Sequence, residues 1–142
     1  MSLQDLIRDS LIDTRIFEFG EVWTISDELV SIPDADRTND RAMHTYRSVL
    51  IVSNNSGNTN PLNPVVTIVP FSHRTDCMRP GDIELYANRD NLKYDSLARL
   101  RLLQPVLKAD LVRRIALISD DGKEEMLIGL EEFFGLGVEE LN

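Results

Sequence analysis

Cysteine is nearly absent from the 142-residue chain: Cys77 stands alone, and the histidines number two, His44 and His73. One cysteine excludes an internal disulfide and any cysteine-based zinc cluster. Two histidines outside an HExxH pattern do not make a zinc site, so neither metal nor cofactor is expected. Seven glycines are scattered without a P-loop or a GxGxxG, which removes the common nucleotide-cradling loops. No apolar run approaches the roughly 18–20 residues that span a bilayer, so no membrane association is expected. The stretch MSLQDLIRDSLIDTR carries Asp5, Asp9 and Asp13 and does not read as a signal peptide. A reduced, cytoplasmic setting is the expectation.

What is present suits one globular domain over residues 1–142. Apolar residues make up 42% of the chain, enough for a core. The formal charge of −9 argues against a nucleic-acid partner when taken whole. Its distribution says otherwise. Residues 37–114 hold 12 Lys/Arg against 7 Asp/Glu, whereas the two ends hold 3 against 17. An arginine-rich centre between acidic flanks is either an ordinary core with solvated ends or an anion site, because local field matters more than net charge.

Periodicity divides the chain into short elements. Residues 2–16 are expected as an amphipathic helix capped by Ser2, with Leu3, Leu6, Ile7, Leu11 and Ile12 on one stripe. Strands are expected at 21–26, 47–53, 65–71, 82–87 and 115–119, with polar loops at 27–46, 54–64 and 74–81. SLARLRLLQPV (96–106) is ambiguous between helix and strand, and KADLVRR (108–114) suits a short helix. Residues 119–137 read as a last helix started by Ser119 or Asp120, stopped by Gly135 or Gly137, with Met126, Leu127, Leu130, Phe133 and Phe134 as its apolar face. Asp120-Asp121-Gly122 mimics a calcium loop but lacks its other ligands and reads as a cap. Asp95-Ser96 carries no assignment. The expected fold is mainly β, a small and strongly bent antiparallel sheet or barrel with peripheral helices.

The two most apolar strands are consecutive, so an antiparallel hairpin is their expected pairing. If Ser53 faces Val65, paired numbers sum to about 118, and Arg47 falls opposite about Phe71. Arg47 and Ser72 then share one rim of the sheet, with His44 and His73 close by. An arginine offers a planar fork of donors to phosphate oxygens, a hydroxyl adds another donor, and an imidazole exchanges protons near neutrality. The blander readings are an arginine paired to a carboxylate, a strand-end hydroxyl bonded to its own backbone, and solvated histidines.

The ordered series YRSVLIVSNN, VVTIVPFS, DIEL, DSLARL, RRIALISD and EEFFGL resembles the MazF/PemK family of toxin endoribonucleases over roughly residues 20–137. The resemblance implies a small SH3-like barrel (MazF/CcdB-like) with this chain's N-terminal helix, residues 1–19, as an extension. It also implies a homodimer, an antitoxin protein as partner, and metal-independent cleavage of single-stranded RNA. In that reaction the 2′-hydroxyl attacks the adjacent phosphate, leaving a 2′,3′-cyclic phosphate and a 5′-hydroxyl. Arg47 and Ser72 match the family's catalytic pair. His73 is the preferred proton carrier and His44 the second choice. His44, Arg74 and Arg79 are the expected substrate contacts.

The pattern departs from the family in four places. Ser48 stands where proline usually follows the arginine. DADRTNDRAMHTY replaces a glycine-bearing loop, Leu102 occupies a position often held by glutamine, and the first helix is extra. These departures keep a second expectation in play: a catalytically degenerate module that binds a protein partner in the same groove. A gyrase-directed protein acting through its last helix is a third, without a specific motif behind it.

Overall fold

The computed structural model describes residues 2, 4–5 and 12–136. Seven strands form one antiparallel sheet: β1 (Glu21–Ser26), β2 (Tyr46–Ile51), β3 (Val65–Ser72), β4 (Asp82–Leu85), β5 (Ser96–Arg99), β6 (Gln104–Leu107) and β7 (Leu111–Leu117). Their order is β4-β5-β3-β2-β1-β7, with β6 beside the first half of β3. The hydrogen-bonded path is open from β4 to β7, so among the described residues the bent sheet is seen, of the two expected forms, and barrel closure is not. Short helices are inserted between strands: α1 (Pro33–Thr38), α2 (Asn55–Asn58) and α3 (Ala87–Asp90). A longer α4 (Asp120–Phe133) follows the sheet.

Strand β3 organises the bend. One edge pairs β2 through Ile68, Val69 and Pro70. Its other edge pairs β6 through Val65–Ile68 and β5 through Phe71 and Ser72. The ambiguous SLARLRLLQPV therefore supplies parts of two strands. A 3-10 turn at Leu100–Leu102 lets the chain leave one half of β3 and rejoin the other. A pure helix or a single strand would satisfy neither pairing.

Alternation puts apolar side chains on both faces of the sheet. Trp23, Ile25, Val49, Ile51, Val66 and Ile68 pack together with Phe17 on one face. Val22, Leu50, Val69, Phe71, Leu85 and Ala98 pack with Met126 of α4 on the other. A strand covered on both faces reads as a continuous apolar run, which is why 65–71 looked that way in sequence.

Three expectations need correcting. Most of the helix expected at 2–16 lies outside the described residues. Ser2 and Asp5 do exchange backbone-to-side-chain hydrogen bonds at 3.1 and 3.3 Å, a capping box, but residues 12–16 are not helical. That segment is tied down instead by Arg15, which donates to the carbonyls of Lys108 and Leu111 at 2.7 Å each, and by buried Phe17, whose ring lies 4.8 Å from that of Trp23. The helix expected at 108–114 is one 3-10 turn, Lys108–Asp110, after which β7 begins. Edge-strand exposure hides β7: Val112, Arg113, Arg114 and Ile115 all face solvent, so no alternation survives. The 27–46 loop contains α1, entered through Pro33 at its first turn.

Helix α4 starts as expected, with Ser119 Oγ accepting from Gly122 N at 3.0 Å, and Gly135 takes the left-handed conformation (φ 65°) just past its end. Its expected apolar face is only half used. Met126 is buried and Leu130 packs on the core, but Leu127, Phe133 and Phe134 are exposed.

Candidate active site

The hairpin register is one residue from expectation. Val49 faces Pro70, so paired numbers sum to 119, and continuing that register sets Arg47 opposite Ser72. Arg47 begins β2 and Ser72 ends β3. Together with His44, His73, Arg74 and Phe71 they line a hollow of about 560 Å³. Five of the six expected site residues, Arg47, Ser72, His73, His44 and Arg74, are thus brought to one place. Arg79 is not in it. It lines a neighbouring basic hollow, of about 320 Å³, that shares Arg47, Ser72 and Arg74.

Arg47 is held from two sides. Its Nε donates to Asp27 Oδ1 at 2.6 Å and its Nη1 to the Phe71 carbonyl at 3.0 Å. Asp27 is fully buried just beyond β1. It also accepts from Arg41 Nη2 and from the backbone N–H of His44 at 2.9 Å. Burial pushes its carboxyl up, but the hydrogen bonds from Arg47, His44 N–H and Arg41 outweigh that and hold it down at about 2. Asp27 is therefore an anion that fixes one arginine from the polar loop and one from β2. Sequence reasoning missed it, because an aspartate after a strand looks like any turn residue.

Ser72 keeps a donor to spare. Its Oγ accepts from Arg74 N at 3.2 Å, which leaves the hydroxyl proton for another acceptor. Of the two expectations for this serine, the observed bond matches the blander one, a strand-end hydroxyl bonded to nearby backbone.

His73 is oriented by residues the sequence left unassigned. Its Nδ1 lies 3.0 Å from Ser96 Oγ, and Ser96 Oγ donates to the Tyr94 carbonyl at 3.0 Å. A hydroxyl has one proton, so with that proton on Tyr94 O the serine accepts from His73 Nδ1–H. The neutral ring then carries its lone pair on Nε2. Partial burial, then the nearby Arg47 and His44 charges, lower the His73 pKa below the usual 6.5. An imidazole neutral at pH 7 with Nε2 unprotonated is a base. Tyr94 meets the ring edge-on at 5.3 Å.

The basic hollow is less free than its arginine content suggests. Of its six arginines, Arg41 pairs with Asp27 and Asp36, Arg47 with Asp27, Arg74 with Asp76, Arg79 with Asp34 at 3.1 Å, and Arg99 with buried Asp82 at 2.9 Å. Arg101, also in that lining, has no ion pair among the described residues. Leu102 sits in the same wall, an apolar side chain where a polar contact would strengthen anion binding. No group of three or more metal-ligating side chains is found among the described residues.

Residues 19–134 match the family described as PemK-like, MazF-like toxin of type II toxin-antitoxin system, and the chain belongs to that family. Solved structures agree on the fold. An endoribonuclease in complex with its cognate antitoxin from Mycobacterial species superimposes with a TM-score of 0.60 at 15% identity, covering 88% of this chain and 97% of that one. The MazE-MazF structure from Deinococcus radiodurans gives 0.60 at 14% identity, covering 85% and 97%. The Mycobacterium tuberculosis toxin MazF-mt6 gives 0.53 at 18% identity, covering 63% and 87%. None of the curated proteins compared with the chain matches it. No helix among the described residues is long and apolar enough to cross a membrane.

Proposed function

We propose that this protein is an endoribonuclease toxin that cleaves single-stranded RNA through the hollow shared by Arg47, Ser72 and His73. The convergence of those three side chains on one cavity carries the reading. Family membership and the solved relative described as an endoribonuclease support it. His73 Nε2 takes the proton from a ribose 2′-hydroxyl. The 2′-oxygen forms a bond to the adjacent phosphorus while the bond to the 5′-oxygen breaks, and the proton passes from the imidazolium to that leaving oxygen. The products are a 2′,3′-cyclic phosphate and a 5′-hydroxyl. Arg47 and the Ser72 hydroxyl donate to the non-bridging oxygens, where charge accumulates in the transition state. Every proton and phosphoryl contact in this scheme comes from a side chain or the substrate, and a metal has no step in it. Asp27 and the Phe71 carbonyl fix the guanidinium beforehand, so no reorganisation is needed at the moment of reaction. His44, in the same cavity, is the second proton carrier, and Arg74 and Arg79 steer the flanking phosphates.

The toxin works as a homodimer in the cytoplasm, as one domain over residues 1–142 with 1–19 an extension, and is held in check by an antitoxin protein. Relatives solved as antitoxin complexes support the last point. The deciding experiment is incubation of purified protein with mixed single-stranded RNA, with and without EDTA, followed by end-group analysis. EDTA-resistant cleavage to cyclic-phosphate ends, abolished in Arg47→Ala, is expected. Cleavage unchanged in Arg47→Ala sinks the assignment.

One observation favours a second reading. Five of the six arginines in the basic hollow already pair with carboxylates of the same chain. A groove neutralised in this way suits a protein segment better than a polyanion, as in a family member that has lost catalysis. Absence of cleavage of any long RNA at high protein concentration would select it.

A further inference from the structure

A third hollow adjoins the central one. It measures about 240 Å³ and shares Ser48, Phe71 and His73 with the central cavity. We propose that it is a base-recognition pocket that takes one unstacked pyrimidine, uracil above all, from the nucleotide next to the phosphate held by Arg47 and Ser72. This inference rests on the RNA-cleaving reading of the central hollow and adds the base it prefers.

Size comes first. The cavity lies below the roughly 300 Å³ at which drug-sized ligand sites begin, so it suits one small ring and not a stack of bases. Its floor is apolar: Val22 and Phe71 are buried core residues. Its rim is polar and basic, and none of the residues lining it is acidic, in a chain whose net charge is −9. Lys93 and Arg113 on the rim have no ion pair among the described residues. The Lys93 ammonium lies 5.4 Å from the Tyr94 ring centroid.

Side-chain chemistry then selects the base. Tyr94 is half exposed beside the cavity and offers an aromatic ring on which a base can stack, as single-stranded RNA is commonly held. Asn91 sits at a left-handed position (φ 60°), and its Nδ2 donates to the Leu117 carbonyl at 2.9 Å. That bond fixes the amide, leaving Oδ1 as its acceptor. The rim therefore combines one amide acceptor with two cationic donors. Uracil presents the complement along its edge: carbonyl, N–H, carbonyl. Adenine carries ring-nitrogen acceptors on either side of its amino donor, so discrimination against it rests on the smaller volume of a pyrimidine in a cavity of about 240 Å³. An apolar peptide side chain would fill the floor but leave this rim unused, and a carboxylate side chain would find no ring-stacking advantage.

His73 makes the placement functional. Its ring forms part of the wall between the two cavities, so a base seated against Tyr94 sets its own ribose beside the imidazole. Filling the pocket thus aligns the 2′-hydroxyl with Nε2.

The test uses the full chain and two probes, uridine 3′-monophosphate and adenosine 3′-monophosphate. In an NMR titration the uridine probe is expected to shift the Asn91 and Tyr94 amides at least tenfold more tightly than the adenosine probe. Tyr94→Ala is expected to erase that difference and Tyr94→Phe to keep it, which separates lost stacking from lost fold. In parallel, cleavage sites on mixed RNA are mapped for the same proteins, reading the ratio of uracil to adenine beside the cut. Equal binding of the two probes, shifts confined to Arg47 and Ser72, or an unchanged ratio in Tyr94→Ala each overturns the pocket. If wild-type protein cuts nothing, the cleavage reading fails while the titration still decides the pocket.

Discussion

Asp27 Oδ1 accepts a 2.6 Å hydrogen bond from Arg47 Nε, and the carboxylate that does so is wholly buried. The same carboxylate holds Arg41, whose side chain is almost as buried. One charge therefore serves two guanidiniums on separate segments. It also fixes the direction in which Arg47 presents its remaining donors. Breaking a buried pair leaves unbalanced charge, with a typical cost of about 3–5 kcal/mol.

Asp27→Asn is accordingly expected to lower stability by about 3 kcal/mol. Cleavage should fall further than the folded fraction does, because Arg47 loses its anchor. Urea unfolding alongside an RNA cleavage assay separates the two effects. Wild-type stability in the variant would mean that the pair contributes nothing net.

Stability should also depend on acid through this residue. The folded Asp27 carboxyl sits at about 2, below its ordinary 3.8. A depressed carboxyl binds its proton more weakly in the folded state, so its stabilisation is complete above about pH 4 and is lost as pH falls towards 2. The shift corresponds to about 2 kcal/mol. Urea midpoints measured from pH 6 down to pH 2 should show that loss in the wild type. In Asp27→Asn this component should be missing.

On the proposed mechanism the pH profile of cleavage reports a different group. With His73 neutral as the base and its pKa lowered, log rate should climb with unit slope in acid and level off below pH 6.5. His73→Gln should remove that limb and reduce the rate by 10²-fold or more, the usual scale of a lost acid–base group. A limb that persists in His73→Gln assigns the proton to another residue, with His44 next in line.

Ser96 sets the tautomer of the His73 imidazole. Ser96→Ala removes the acceptor of His73 Nδ1–H, and the ring then shifts towards the Nε2–H form, which cannot accept a proton at Nε2. A rate loss on the order of tenfold is expected, short of deleting the imidazole. Imidazole nitrogen NMR shifts should record the change of tautomer. If the tautomer is unchanged, Ser96 is only a packing residue.

Packing near α4 offers a test independent of chemistry. A Cβ on Gly122 would lie 2.4 Å from Asp90 Oδ1 and 3.2 Å from its Cγ. Asp90 is buried and accepts from Tyr86 N at 2.9 Å and Ser119 Oγ at 2.7 Å, so it has little room to yield. Gly122→Ala should cost about 1–3 kcal/mol by overpacking, measured as a shift of the urea midpoint at unchanged slope.

Legibility followed the range of the interaction that fixed each element. Strands β1, β2 and β3 and the Ser119 cap were readable because alternation and capping act over a few residues. The hairpin brought Arg47 and Ser72 together in sequence because adjacent strands pair, and the register missed by one. Residues 96–106 were not readable. Only their two different pairings with β3 divide them, and those partners lie 25 to 42 residues away. β7 was half misread as helix because an exposed edge strand has no buried face to impose alternation.

The sequence by itself determined a mainly β domain with a guanidinium and a hydroxyl at one sheet rim, since local periodicity and hairpin adjacency suffice for that. Only the tertiary structure decided that Asp27 anchors Arg47, that Ser96 orients His73, and that the sheet stays open. Those depend on contacts between segments that no local pattern specifies: a buried carboxylate draws its partners from wherever the fold brings cations close, and strand closure depends on the path of the whole chain.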